Sequence, residues 1–252
     1  MIPWFQWEVL YLGPIPIRIW GLFVSLGMLV SLSYVWRFAK KSGFQRERML
    51  DLALWMIVGG FVGARLVHVF IYEPQFYFSH PWEFFAVWHG GWSSFGGVAG
   101  AIASFFFYNK KHAVAPMQER IADLMSVSAV FGWVVGRLGC VMIHDHLGRP
   151  CNCFFDIETP QGPRLDMALT EIFLLLPLVV LFLILQKRRV KDGTYTALLF
   201  LYYGITRFLL DFLRLGDHRY LGLTPAQFFA ILIMIFGGHF LFKRYWKDRI
   251  AV

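Results

Sequence analysis

Charge is what this chain has least of. Asp, Glu, Lys and Arg make up 16% of its 252 residues, against roughly 25% in soluble globular domains, which argues against a soluble enzyme. Its three cysteines are too few for a disulfide-dense secreted scaffold. No internal repeat, low-complexity tract or separate polar domain is visible. What the chain has in abundance is apolar surface. It is 58% hydrophobic and 19% aromatic, with 27 Phe and 10 Trp, and its mean hydropathy is +0.55. Disordered and collagen-like chains are excluded on that ground, and an integral membrane protein remains.

A helix needs about 20 mostly apolar residues to cross about 30 Å of hydrocarbon. Seven stretches qualify, at about 19–37, 51–72, 92–108, 122–143, 168–186, 194–213 and 225–242. The expected fold is therefore an all-α integral membrane protein with seven transmembrane helices, one domain over 1–252. No basic cluster or small-residue cleavage site brackets the first stretch, so it reads as a retained helix and not a signal peptide. The sizeable extramembrane piece is the loop at about 144–167, which holds Pro150, Pro160, Gly162 and Pro163 and reads as irregular.

The formal charge of +8 has to be read by position. Arg37, Lys40, Lys41, Arg46 and Arg48 follow the first stretch, Lys110, Lys111 and Arg120 the third, Lys187, Arg188, Arg189 and Lys191 the fifth, and Lys243, Arg244, Lys247 and Arg249 the seventh. Basic residues mark cytoplasmic ends, which puts the N-terminus and the 144–167 loop outside and the C-terminus in the cytoplasm. Topology thus explains the charge, which gives no support to nucleic-acid binding. Trp4, Trp7, Trp82, Trp88, Tyr245 and Trp246 fall near span ends, as an aromatic belt would.

Three arginines lie where lipid would be: Arg65, Arg137 and Arg207. A central Arg costs roughly 2.5–3.5 kcal/mol on insertion scales, so each must face a partner, water or a polar cavity. Asp211 and Arg214, four and seven residues after Arg207, are expected on the same helical face. One reading is an Arg207–Asp211 pair that ties the bundle together. The other is a shared cavity in which guanidinium groups hold a phosphate by paired hydrogen bonds, and a phospholipid headgroup is the phosphate available at that depth. Glycines surround these arginines: Gly59, Gly60 and Gly63, then Gly96, Gly97 and Gly100, then Gly132, Gly136 and Gly139. They suit close helix packing, while Gly96 and Gly97 after Ser93-Ser94 could also present backbone N–H groups to a ligand.

The elements Gly63-Ala64-Arg65, Trp88-His89-Gly90-Gly91 with Ser93 through Gly97, Gly136-Arg137-Leu138-Gly139 with Gly148-Arg149, and Tyr203-Gly204-Ile205-Thr206-Arg207-Phe208 with Asp211-Phe212 and Arg214, in this order, resemble the bacterial prolipoprotein diacylglyceryl transferases. Gly13-Pro14 and Trp20-Gly21 extend the match almost end to end. The resemblance implies a multi-pass enzyme of the bacterial inner membrane, without a cofactor or metal. Such an enzyme moves the diacylglyceryl group of phosphatidylglycerol to the lipobox cysteine of a prelipoprotein and releases glycerol phosphate. Arg137 and Arg207 match the family's essential arginines and are assigned to the phosphate; Arg65, Gly96, Gly97, Asp211 and Arg214 are assigned to the same phospholipid site.

The chain departs from the family's pattern near its chemistry. Phe95 stands where the motif has a His before Gly-Gly, Cys140 where it has Asn, and Ile143-His144-Asp145 where it has Asn-Gly-Glu. Trp20 replaces an expected Tyr, and of the His-Pro-Ser-Gln-Leu-Tyr-Glu element only Leu169 and Glu171 remain. A divergent member or paralogue is expected. A thiol acceptor needs a base, and His144-Asp145-His146 directly follows the Arg137 motif. His144 or His146, with Asp145 as the supporting carboxylate, is expected to take over that role; a solvated polar turn is the plain alternative. Cys151-Asn152-Cys153 with the two histidines offers zinc-type ligands without a recognised spacing, a disulfide from Cys140 to a loop cysteine is an equal reading in an oxidising compartment, and two neutral loop thiols are the simplest. Besides the family reaction, two functions fit: a paralogue with the same phospholipid site and a different acceptor, and a non-catalytic lipid-binding membrane protein.

Overall fold

A computed structural model describes residues 3–112, 117–215 and 219–245. It is mostly helical, with short strands confined to two places. The chain begins with a two-stranded antiparallel hairpin, β1 (Val9–Leu12) and β2 (Ile15–Arg18). Its two-residue turn, Gly13-Pro14, needs the positive φ of +61° that Gly13 supplies. The long helices are α1 (Ile19–Ala39), α2 (Arg46–Val67, continued by a π-helical turn, His68–Tyr72), α4 (Ser94–Lys111), α5 (Gln118–Ile143), α6 (Met167–Leu185), α7 (Thr194–Leu210) and α8 (Pro225–Tyr245), with a short α3 (Pro74–Ser79).

Among the described residues, five helices are long and apolar enough to cross a membrane: α1, α2 with its π turn, α5, α6 and α8. The expected spans at 92–108 and 194–213 are also helical, as α4 and α7, but these have 18 and 17 residues and are not among the five. Large apolar side chains such as Leu29, Val58, Phe107 and Ile235 are exposed on the helices, as lipid-facing surfaces require. Basic residues close several of them: Arg37 in the last turn of α1, Lys110 and Lys111 of α4, Lys243 and Arg244 of α8. There they also complement the negative end of the helix dipole. Trp246, Lys247 and Arg249 lie outside the described residues.

The 144–167 loop is more regular than its prolines and glycines suggest. It forms a three-stranded antiparallel sheet in the order β3-β5-β4, from β3 (Leu147–Pro150), β4 (Asp156–Thr159) and β5 (Gly162–Asp166). Strands this short show too little alternation to be read from sequence, and Pro150 and Pro163 sit in strands where apolar periodicity would be sought. Leu165 and Met167 pack with Leu210 and so fasten the sheet to α7.

The chain divides into two compact units, Met1–Tyr34 with Glu119–Val252, and Val35–Gln118. In the first, Val127, Val130, Leu178 and Phe182 form an apolar core between α5 and α6. Asp123 is buried near the start of α5, and its carboxylate accepts from Gly193 N (2.7 Å), Thr196 N (2.8 Å) and Thr196 Oγ1 (3.0 Å), capping the start of α7. In the second unit, α2 and α4 meet along Gly59, Gly60, Gly63, Gly96, Gly97 and Gly100. A Cβ added at Gly63 would lie 2.5 Å from Gly96 O and 2.8 Å from Gly100 Cα. The glycine spacing thus serves backbone approach between two helices.

Candidate active site

In the unit formed by the two chain ends, three successive long helices bring a charged cluster together. Arg137 from α5, Glu171 from the first turns of α6 and Arg207 from the last turn of α7 converge. Glu171 is shared. Its Oε2 is ion-paired with Arg137 Nε, and its Oε1 accepts from Arg207 Nη1 at 3.4 Å. Arg207 Nη2 also pairs with Asp211 Oδ1 at 3.0 Å. Asp211, fully buried, is held in turn by the Thr224 hydroxyl, which donates to Oδ2. Two cations and two carboxylates thus neutralise one another in a buried setting, which is how intramembrane arginines become tolerable.

One side of the cluster opens on a small cavity whose lining joins Glu171, Thr206 and Arg207 to Trp133, Tyr203 and apolar leucines. Arg207 Nε is buried and has no hydrogen-bond partner among the described residues. A guanidinium with an unused N–H can donate to an anionic oxygen without first breaking its ion pairs.

Arg214 does not share the helical face of Arg207 and Asp211. Helix α7 ends at Leu210, and Phe212 N and Leu213 N bond three residues back, to Leu209 O and Leu210 O, a tighter turn that ends the 3.6-residue periodicity. Arg214 follows and forms a backbone bridge with Gly148, joining the 144–167 loop to the end of α7.

Arg65 has a different environment from the one expected. All its N–H groups point to carbonyls of residues 83–91: Nε to Phe84 O (3.1 Å), Nη1 to Gly90 O (2.5 Å) and Gly91 O (3.2 Å), Nη2 to Glu83 O (2.5 Å) and Ala86 O (3.4 Å). A guanidinium has five N–H donors, and five carbonyls use them. Arg65 therefore pins the segment that leads into α4, with its guanidinium over the Tyr77 ring at 5.2 Å. Gly96 and Gly97 have the same structural character. Gly96 N donates to Ser93 Oγ at 3.3 Å and Gly97 N to Ser93 O at 2.9 Å, so the first turn of α4 consumes both N–H groups. Phe95 is buried and packs near Tyr72.

The histidine cluster is assembled by the end of α5. His144 N donates to Cys140 O at 2.9 Å, and His144 then takes a left-handed conformation, φ +47°, that reverses the chain. For a non-glycine residue this costs about 1–2 kcal/mol. A buried pair offsets it: His144 Nδ1 lies 2.6 Å from Asp166 Oδ2, with both side chains almost fully enclosed. Asp166 also caps α6 by accepting from Leu169 N at 2.9 Å, and Trp4 and Phe5 cover the imidazole. Asp145 was the expected support for His144 or His146; it pairs with His146, Nδ1 to Oδ1 at 2.6 Å, and both of these side chains reach solvent. The reversal at His144 turns successive residues to different sides, which separates the three.

Cys140 is buried and free, and Cys151 is joined to Cys153, so the bridge forms within the loop and not to Cys140. Arg137 Nη1 approaches Cys140 Sγ at 3.7 Å. Sequence reasoning missed Glu171 and Asp166 as site residues. The signal for Glu171 was its survival in a segment otherwise altered from the family's pattern; nothing local marked Asp166 as the partner of a histidine 22 positions earlier.

Known proteins resemble this chain in sequence over most of its length. A family model described as prolipoprotein diacylglyceryl transferase matches residues 8–243. The phosphatidylglycerol–prolipoprotein diacylglyceryl transferase of Vibrio parahaemolyticus is 33% identical over 212 residues, 82% of this chain and 77% of the relative. The protein of the same name from Chloroherpeton thalassium is 30% identical over 250 residues, 94% and 91% of the two chains. That from Roseobacter denitrificans is 28% identical over 260 residues, 88% of each.

Proposed function

The chain belongs to the prolipoprotein diacylglyceryl transferase family, and we propose that it transfers the diacylglyceryl group of phosphatidylglycerol to the lipobox cysteine of a prelipoprotein. The single observation that carries this reading is the buried Arg137–Glu171–Arg207 cluster beside a cavity, in a chain whose family shares that activity by name. The two arginines take the phosphate. As the glyceryl C–O bond breaks, its electron pair stays on the phosphate oxygen, and the departing glycerol phosphate gains a charge that fixed guanidinium donors stabilise in a water-poor setting. Asp211 holds Arg207 in place, and Glu171 sets the spacing of the pair. Arg65 acts by ordering the segment before α4, and Arg214 by fastening the outer loop.

The acceptor thiol reacts as thiolate, and its activation is assigned to the group after Arg137. His146 with Asp145 is the solvent-accessible pair there; His144, locked to Asp166, supports the reversal that presents them. The chain is read as one domain of seven spans in the bacterial inner membrane, with α4 and α7 as the short ones, N-terminus and sheet outside, C-terminus inside. The loop charges support that orientation.

Purified protein in phosphatidylglycerol vesicles with a lipobox peptide tests this. Release of glycerol phosphate in step with a diacylglyceryl mass gain on the peptide is the expected result. Glycerol phosphate release without peptide modification would point to a different acceptor. Neither product, with phosphatidylglycerol retained on the protein, would make it a lipid-binding member.

A further inference from the structure

We propose that Cys140, Asp145 and His146 hold a zinc ion whose fourth position takes the acceptor thiol. This rests on the transferase reading above and deepens its account of the acceptor. Cys140 lies in the last turn of α5, and the left-handed His144 folds Asp145 and His146 back over it. One ligand atom from each of the three lies within 4.8 Å of the other two. Zinc bonds of about 2.0–2.3 Å put tetrahedral ligand atoms about 3–4 Å apart, so small side-chain rotations close the site.

His146 Nδ1 lies 2.6 Å from Asp145 Oδ1, closer than two ligands of one tetrahedral ion, so the pair opens slightly to take the metal. Thiolate, imidazole and carboxylate are all zinc ligands, and three of them with one open position is the layout of reactive zinc sites, not structural ones. The ligand set lies beside Arg137 of the charged cluster.

Location suits the reaction. Asp145 and His146 are partly exposed, which leaves an approach for metal and thiol, while Cys140 is buried against Arg137. Arg137 Nη1 points to the same sulfur at 3.7 Å, and such donors orient and tune a metal-bound thiolate. When the acceptor sulfur binds zinc, its proton passes to water at the exposed side. The thiolate then attacks the glyceryl carbon, the S–C bond forms as the C–O bond breaks, and the electron pair leaves with glycerol phosphate toward Arg137. Nothing is oxidised or reduced.

Cobalt(II) titration of the full-length, chelator-stripped protein in detergent, with zinc analysis in parallel, tests the site. The expected result is one metal per chain, with a thiolate-to-cobalt charge-transfer band that grows when lipobox peptide is added. The band is lost in Cys140→Ser and kept in a Cys151→Ser/Cys153→Ser variant. Wild-type binding below about half an equivalent, or a band that survives Cys140→Ser, overturns the proposal. Full transfer by the metal-free protein would overturn the zinc site while leaving the transferase reading intact. One bound metal with the Cys140-dependent band, but no glycerol phosphate released, would support the site and overturn the reading beneath it.

Discussion

Glu171 is the residue on which the charged cluster turns, and Glu171→Gln isolates its charge from its shape. The carboxylate faces Arg137 through one oxygen and Arg207 through the other, and it is 7% exposed. Gln keeps one acceptor oxygen and the side-chain volume but adds an N–H₂ donor opposite a guanidinium. The cluster's formal charge moves from zero to +1, with Asp211 the remaining anion. Breaking a buried ion pair by removing one partner costs about 3–5 kcal/mol; the oxygen that Gln retains argues for the lower end, about 3 kcal/mol. For a chain this size each kcal/mol lowers Tm by about 2–4 °C, so a fall on the order of 6–12 °C is expected. Thermal unfolding in detergent micelles, followed by tryptophan fluorescence, gives the measurement. Glu158→Gln, on an exposed strand position, is the matched control and should move Tm little. A Glu171→Gln protein that melts with wild type would refute the shared-carboxylate account.

Other outcomes follow from the same geometry. His144→Gly relieves the left-handed backbone while losing the Asp166 pair, and His144→Ala loses the pair without relief, so the Ala variant should melt lower, by about 1 kcal/mol; equal melting would remove the strain argument. Gly63→Leu should abolish stable expression because α4 backbone occupies the space, whereas Gly21→Ala, with nothing within 4 Å of its Cβ, should be neutral by membrane yield and Tm. Arg65→Lys cannot reach five carbonyls, so limited proteolysis should cut faster between residues 80 and 92; unchanged protection would show that the segment orders itself.

Much of this arrangement was legible in the sequence because it rests on local signals. Apolar runs found the helices, glycine spacing found the close approach of α2 and α4, and Gly-Arg-x-Gly with Tyr-Gly-x-x-Arg-Phe found Arg137 and Arg207. What was not legible depends on long-range pairing or on a backbone reversal. The β3-β5-β4 sheet carries little periodicity in four- and five-residue strands. Arg65 could be recognised as a charge needing partners, but not as one whose partners are the carbonyls of residues 83–91. The His-Asp-His run suggested one cooperating group, and a single residue at φ +47° divides it into a buried His144–Asp166 pair and an accessible His146–Asp145 pair beside Cys140.

The central claim is that Arg137 and Arg207 serve phospholipid-dependent diacylglyceryl transfer. Its most direct test is complementation of a strain depleted of its own prolipoprotein diacylglyceryl transferase, with lipoprotein modification followed by mass spectrometry. Rescue by wild type, lost in Arg137→Ala and in Arg207→Ala at equal membrane abundance, is the predicted result. Rescue that persists in both variants would contradict it.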